Sequence, residues 1–265
     1  MQIPRTMIDD YTARLNTISE STKAVIRETL EGIEFESIAD LRKQLIELLE
    51  PILGASTDIA AAYAAETYDE IRALSTGSAL GADTESCRNP EATAGFIRYI
   101  VGQVKDDGIN DILSAILNRS DYEIKRAAGD CIYHNGNNDP LKPRFARVPS
   151  GLETCGFCFM LASRGFGYHT AESAGSGGHY HPNCDCRIVP GFDGMEVEGY
   201  DPDFLYEQYL KCREIVEDEY GQANQSDIIN EINRRNTEWL YSGNPGQIQI
   251  ENGAEPLPKE LQVGK

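Results

Sequence analysis

Residues 154–187 read TCGFCFMLASRGFGYHTAESAGSGGHYHPNCDCR and hold four of the chain's seven cysteines and three of its four histidines. A Cys-x2-Cys pair comes first, and a glycine-rich stretch and a His-x2-Cys-x-Cys group follow it. The five candidate ligands are Cys155, Cys158, His181, Cys184 and Cys186. A zinc ion needs four such side chains to converge on one point at about 2.0–2.3 Å. The segment therefore predicts a structural zinc site.

Five candidates compete for four ligand positions. If residues 184–188 form a strand, alternation sends Cys184 and Cys186 to opposite faces, so only one of them binds. The His-x2-Cys spacing favours Cys184 as the fourth ligand beside Cys155, Cys158 and His181. A turn that ends one residue later favours Cys186 instead. We interpret the neighbouring His179 as an exposed loop histidine.

A catalytic interpretation of the same residues is the alternative. Cys155 and Cys158 precede a helix-like stretch, as in redox-active Cys-x-x-Cys pairs whose thiol pKa is lowered by a helix N-terminus. A cysteine hydrolase would instead pair a thiol with His169 or His181. Dithiol exchange leaves the His-x2-Cys-x-Cys group unexplained and lacks the usual βαβ context. A zinc deaminase is excluded because its His-x-Glu precedes Pro-Cys-x-x-Cys. We therefore predict a protein that is not an enzyme, with a thiol enzyme as the alternative.

Composition restricts the remaining function classes. The chain has 265 residues, 40% of them hydrophobic, which suffices for one sizeable domain or two small ones. Its net charge of −19 disfavours general binding to nucleic acid. The only local basic cluster, at Lys142, Arg144 and Arg147, is interpreted as a solvated strand edge. No apolar run reaches the roughly 18 residues of a membrane span, so we expect a cytoplasmic protein with no membrane association.

The first 131 residues carry apolar side chains at helical spacing. Residues 1–75 predict three helices, with Pro51 and Gly54 separating the second from the third, and residues 75–90 predict a loop. Three further helices are expected, with Ser120 as the cap of the last. Their ranges are 91–103, 107–117 and 120–131.

The composition and the predicted secondary structure change after residue 131. The composition of residues 134–140 predicts a loop, and residues 146–149 are expected to pair as a strand with residues 186–189. This pairing would bring the two halves of the metal site together, and the metal would replace the core that so small a β-unit lacks.

Two acidic amphipathic helices are expected beyond the β-unit, at 203–220 and 225–240. The first would turn four side chains inward: Tyr206, Leu210, Ile215 and Val216. The tail from residue 242 is predicted to be extended or disordered.

The predicted fold is α+β and mainly α, with a helical N-terminal region, a small central β-unit organised by the Cys/His site, and acidic C-terminal helices. The predicted domain boundaries are 1–131, 132–195, 196–241 and 242–265.

The cysteine motif also carries a family resemblance. Residues 147–165 (RVPSGLETCGFCFMLASRG) and 181–192 (HPNCDCRIVPGF) resemble minor head proteins of tailed bacteriophages, the phage Mu F-like head morphogenesis family. The hallmark of that family is a Cys-x-x-Cys followed by His-Pro-x-Cys-x-Cys. The resemblance is specific over residues 144–192 and general over the helical N-terminal region.

This resemblance implies a structural role. It predicts a minor capsid protein that acts in procapsid assembly and head morphogenesis near the portal. The implied partners are the portal protein and the major capsid or scaffold protein, with packaged DNA as a further contact. The implied location is the host cytoplasm during assembly and then the interior of the virion head. The cofactor expected from the motif is a structural zinc ion.

Overall fold

The computed structural model describes residues 1–84, 89–105, 108–150, 154–169, 186–192 and 194–239, with the backbone alone over 236–239. The helices are α1 Arg5–Leu30, α2 Ile38–Thr76, α3 Pro90–Ile100, α4 Asn110–Asn138, α5 Gly156–Ala162, α6 Pro202–Tyr220 and α7 Gln225–Trp239, and a short 3-10 helix spans Val101–Gln103. The strands are β1 Gln2–Ile3, β2 Arg144–Pro149, β3 Cys186–Gly191 and β4 Glu196–Val197. The prediction of a mainly helical α+β protein is confirmed.

The chain divides into two compact units. The helical unit comprises the described residues between 10 and 140. The cysteine unit comprises residues 1–9 together with the described residues between 141 and 239. The strands of the described chain all belong to the cysteine unit, because β1 pairs with β4 in parallel and β2 pairs with β3 in antiparallel orientation.

The helical unit is built around aliphatic side chains at helical spacing. On α2, Leu41, Leu45, Leu49 and Leu53 recur every fourth residue and are almost fully buried. They form one cluster with buried residues of the other helices: Ile26, Leu30, Ile97, Ile100, Val101, Ile112, Ile116 and Leu117. The spacing of the leucines in the sequence thus identifies the buried face of the first part of α2.

The predicted division of α2 at Pro51 and Gly54 is wrong, because one helix of 39 residues runs through both positions. An interior proline removes a backbone hydrogen bond and costs about 3 kcal/mol. The leucine face before Pro51 continues in register into buried alanines after it, at Ala60, Ala61, Ala64 and Ala65. Burial along this single face outweighs the local cost of the exposed proline.

The predictions for α4 also need correction, since one helix spans Asn110–Asn138. Ser120 is a buried residue within it, and its hydroxyl donates to the Leu117 carbonyl at 2.7 Å instead of capping a new helix. The predicted loop at 134–140 is helical up to Asn138. Its polar side chains find partners inside the fold, as where the Asn135 amide donates to the Cys131 carbonyl at 2.9 Å.

Buried charges in the helical unit are paired. Asp121 accepts from the Ser19 hydroxyl at 2.6 Å and from Lys125 Nζ at 2.8 Å. Asp139, which follows the last residue of α4, accepts from Tyr68 Oη at 3.0 Å and from Arg72 Nε at 2.7 Å. Burial, reinforced by the hydrogen bond to Asp139, raises the pKa of Tyr68 well above its ordinary value. These pairs join α1 to α4 and α2 to α4, since an unpaired buried charge would be costly.

The cysteine unit is assembled around β2, β3 and three helices. Its α5 packs against β2, α6 and α7. The α6 helix is confirmed, but Tyr206 and Leu210 are 48% and 40% exposed, so the predicted inward positions are wrong there. The buried stripe runs instead along Leu205, Gln208, Cys212 and Val216. The sequence offers apolar side chains on more than one side of this helix, and packing selects one of them.

Two predictions remain to be placed. The tail from residue 242 lies outside the described residues. No helix within the described ranges is both long and apolar enough to cross a membrane.

Candidate metal centre

Three of the five predicted ligands lie together in the cysteine unit. Cys155 is the N-cap residue of α5, Cys158 follows one turn later, and Cys186 begins β3. The Cys186 thiol donates to Cys158 Sγ at 2.9 Å, and the Cys158 amide donates to Cys155 Sγ at 3.3 Å. Cys158 and Cys186 are buried and Cys155 is partly buried. We call these three residues the thiol cluster.

The strand register explains how distant parts of the sequence meet. In the β2–β3 ladder, Pro149 lies opposite Cys186 and Ala146 lies opposite Val189. This is the predicted pairing of 146–149 with 186–189, so that prediction is confirmed. The helix after β2 carries Cys155 and Cys158 back to the strand that begins with Cys186. The two halves of the motif thus meet through the sheet.

The glycine between the first two cysteines has a structural reason. A Cβ atom on Gly156 would lie 2.5 Å from the Ile229 carbonyl oxygen and 2.9 Å from Asn233 Oδ1, both on α7. The Gly156 amide donates to the same Asn233 oxygen at 2.6 Å. Only glycine therefore allows α5 to approach α7 this closely. This contact could not be predicted from the sequence, because it joins residues more than 70 positions apart.

The interpretation of Arg147 as part of a solvated strand edge is wrong. Arg147 is 0% exposed and is among the largest fully buried side chains. In the ladder it lies opposite Ile188, two residues beyond Cys186, so alternation places Arg147 and Cys186 on the same face of the β2–β3 ribbon. A fixed positive charge thus lies near sulfur atoms that become negative on deprotonation.

Tyr168, which interacts electrostatically with Arg147 and Cys186, is not suited to acid–base chemistry at neutral pH. Burial raises the pKa of Tyr168 to about 12, although Arg164 and Arg147 oppose the shift. Its hydroxyl donates to the Leu161 carbonyl at 2.7 Å, at the end of α5. Burial also raises the pKa of Tyr200, whose hydroxyl donates to the Ala162 carbonyl. Both tyrosines therefore stabilise the C-terminal end of α5 by hydrogen bonding to its carbonyl groups.

The thiol cluster fits part of a zinc site. Three cysteines supply soft sulfur donors. The hydrogen bond from the Cys158 backbone amide to Cys155 Sγ would stabilise a thiolate at Cys155. Two sulfurs bound to one tetrahedral zinc at about 2.3 Å lie about 3.8 Å apart, so metal binding would separate Cys158 Sγ from Cys186 Sγ. Accordingly, no group of three or more His, Cys, Asp or Glu residues in the described chain already has the spacing of a metal site.

The other predicted ligands, His181 and Cys184, lie outside the described residues, as does His179. Cys186, the alternative to Cys184 for the fourth position, lies beside Cys158. His169, the proposed hydrolase partner, is exposed, and no hydrogen bond within the described chain joins it to a cysteine. The geometry brings the thiols together without a described base.

Comparison with known proteins identifies relatives of the chain. Residues 2–212 match the family described as VG15 protein. The "Gene 15 protein" of Mycobacterium phage L5 is 32% identical over 30% of this chain and 40% of its own length. The "Gene 15 protein" of Mycobacterium phage D29 is 31% identical over 27% of this chain and 37% of its own length. The matches thus span about two fifths of each relative. No solved structure matches the chain. Because the family match covers most of the sequence, the chain belongs to the VG15 protein family and is a bacteriophage protein.

Proposed function

We propose that this phage protein is a structural minor head protein that acts in procapsid assembly and head morphogenesis near the portal. The observation that carries the proposal is the buried thiol cluster in a phage protein whose cysteine motif resembles that of Mu F-like head proteins. In this proposal the cluster holds the cysteine unit together and does not catalyse a reaction.

The burial of Cys158 and Cys186 suits a structural role for these two thiols. A catalytic or redox-active cysteine must be reached by its substrate, and its thiolate must be stabilised at an accessible position. Cys158 is 0% exposed and Cys186 is 1% exposed, so neither meets an attacking group from solvent. Cys155 alone is partly accessible. A dithiol oxidoreductase at Cys155 and Cys158 stays the alternative, because Cys155 is partly accessible at the N-terminus of α5, the position of the attacking thiol in such sites.

The proposed metal is zinc, held by Cys155, Cys158 and His181, with Cys184 or, in its place, Cys186 as the fourth ligand. When bound, zinc would supply a closed crosslink between α5 and β3. Three thiolates and one histidine around Zn²⁺ leave one net negative charge, and the buried Arg147 on the same face would balance it. Such a crosslink suits a unit in which each described sheet has two strands.

The proposed partners are the portal protein and the major capsid or scaffold protein, which the helical surfaces would bind. With a net charge of −19, the chain would repel packaged DNA over most of its surface, so contact with DNA would be restricted to local sites. The proposed location is the host cytoplasm during assembly and the head interior afterwards.

The metal is tested first by elemental analysis of the purified full chain. We expect about one zinc per chain in the wild type and in Cys212→Ser, and none in Cys158→Ser. Cys212 is the matched control because it is also buried in the cysteine unit but lies outside the thiol cluster. A metal-free wild type whose Cys155 or Cys158 is rapidly alkylated would overturn the zinc site and favour the thiol enzyme.

The role in assembly is tested in a phage with an amber mutation in this gene. We expect few or malformed procapsids without the protein, recovery with the wild-type chain, and no recovery with Cys158→Ser. Quantitative mass spectrometry of purified heads should then find a few copies per particle. Normal heads without the protein, together with its absence from purified heads, would contradict the proposal.

A further inference from the structure

A long groove lies on the helical unit between α1 and α2, within a single compact unit. Its volume is about 570 Å³. The groove is lined by small side chains and by five larger ones: Ile18, Val25, Ile52, Ile59 and Tyr63. Val25 is 46% exposed and Ile59 is 50% exposed. Apolar side chains facing each other across a groove mark an interaction site more often than single exposed ones do.

The polar groups at the bottom of the groove form hydrogen bonds within the helical unit and need no polar ligand. The Thr22 and Ser56 hydroxyls meet there at 2.7 Å. The Ser56 hydroxyl donates to the Ile52 carbonyl at 2.8 Å, so its hydrogen-bonding capacity is used within the unit. An apolar side chain can therefore enter the groove without leaving these hydroxyls unsatisfied.

The dimensions suit an α-helix. The groove extends along α1 from Arg14 to Val25, which is about 17 Å at 1.5 Å per residue. Three turns of a partner helix cover this length and present apolar side chains at positions i, i+3, i+4 and i+7.

The charges beside the groove indicate the sign of the charge that a partner should carry. Arg14 is neutralised by Glu66, at 2.6 Å, and its guanidinium lies over the Tyr63 ring at 4.9 Å. Asp10 and Glu28 are exposed on α1, one turn before Arg14 and one turn after Val25. Within the described chain neither carboxylate has an ion-pair partner. The two ends of the groove on α1 are thus acidic.

We infer that this groove binds a cationic amphipathic helix of about three turns from another protein, an interaction that goes beyond the zinc-stabilised role proposed above. The apolar side chains of the helix would pack on Val25 and Ile59, and its lysines or arginines would face Asp10 and Glu28. A second copy of this chain is a poor occupant. Two such faces would bring their acidic ends together in a chain that already carries a charge of −19.

The test uses the full chain and two synthetic peptides of 14 residues. Both carry leucine at positions i, i+3, i+4 and i+7 of a helix, and the remaining positions are lysine in one peptide and glutamate in the other. Binding is followed by fluorescence anisotropy at two salt concentrations. We expect the lysine peptide to bind at least 10-fold more tightly than the glutamate peptide, and more weakly as salt increases.

Two variants separate groove binding from general attraction to an acidic protein. Ile59→Asp should weaken binding of the lysine peptide at least 10-fold. Leu74→Asp is the matched control, because it places the same charge at another partly exposed apolar position of α2, four turns away and outside the groove. It should leave the affinity within 2-fold of wild type. Asp10→Asn with Glu28→Gln should reduce both the affinity and its dependence on salt.

Several outcomes would overturn the inference. Equal effects of Ile59→Asp and Leu74→Asp would show nonspecific electrostatic binding. Equal affinity for the two peptides would remove the charge argument. Self-association of the wild type in analytical ultracentrifugation, abolished by Ile59→Asp, would identify a second copy as the occupant. None of these measurements depends on the zinc content, so failure here is distinguishable from failure of the proposed zinc site.

Discussion

The helical unit and the cysteine unit are stabilised in different ways. The helical unit consists of long helices whose buried residues recur every three or four positions, and it has a continuous aliphatic cluster. The cysteine unit combines residues 1–9 with segments after residue 140, and its strands have two to six residues. The first unit gains most from apolar burial. The second depends on contacts between distant segments and, in our proposal, on a metal ion. Substitutions of similar size should therefore act differently in the two units.

The largest expected effect concerns the aliphatic cluster. Leu45 is 0% exposed on α2, so Leu45→Ala should lower the free energy of unfolding by about 3–4 kcal/mol through lost burial and a cavity. Ile38→Ala, at a 38% exposed position of the same helix, should cost less than about 1 kcal/mol. Urea denaturation measures both values. Zinc content should be unchanged in both variants, and loss of zinc from Leu45→Ala would contradict a division of stabilising roles between the units.

A pH-dependent effect is expected in the helical unit. Burial raises the pKa of Asp130 to about 6 from an ordinary 3.8, although Arg126 opposes the shift. The folded protein therefore holds this proton more tightly than the unfolded chain does. The resulting stabilisation is complete below about pH 4 and is lost as the pH rises through 6.

Asp130→Asn removes this titration. The stability of the variant relative to wild type should therefore increase by about 2.4 kcal/mol between pH 4 and pH 7, because one pKa unit corresponds to about 1.4 kcal/mol and the unfolded carboxyl is already partly ionised at pH 4. Urea denaturation at several pH values measures the difference. If the difference does not change across this range, Asp130 is not the group responsible.

A smaller effect is expected at the packed glycine of the cysteine unit. Gly156→Ala places a methyl group against the Ile229 carbonyl and Asn233, and it should cost about 2 kcal/mol. Gly95→Ala is the matched control in the helical unit, because no atom lies within 4 Å of its added Cβ. It should stabilise α3 by about 0.5–1 kcal/mol. Thermal unfolding compares the two, and equal shifts in Tm would contradict the close approach of α5 to α7.

The thiol cluster shows which features of the site could be predicted from the sequence and which could not. The spacing of the cysteines predicts that Cys155 and Cys158 lie close to the His-x2-Cys-x-Cys group. The strand pairing that brings Cys186 to them was also predicted. The choice between Cys184 and Cys186 stays a prediction, because Cys184 lies outside the described residues and spacing does not decide which way a turn ends. The burial of Arg147 was missed, because a charged residue in a strand is usually exposed and only the surrounding fold reverses that expectation.

The sequence by itself determined the mainly helical α+β class of the protein, the buried leucine face of α2 and the β2–β3 pairing. These features follow from periodicity and spacing, which are local properties of the chain. Only the tertiary structure decided that α2 continues through Pro51, that α4 continues through Ser120, and which side of α6 is buried. In each case the local preference is worth a few kcal/mol at most, and the burial or hydrogen bonding supplied by distant segments outweighs it.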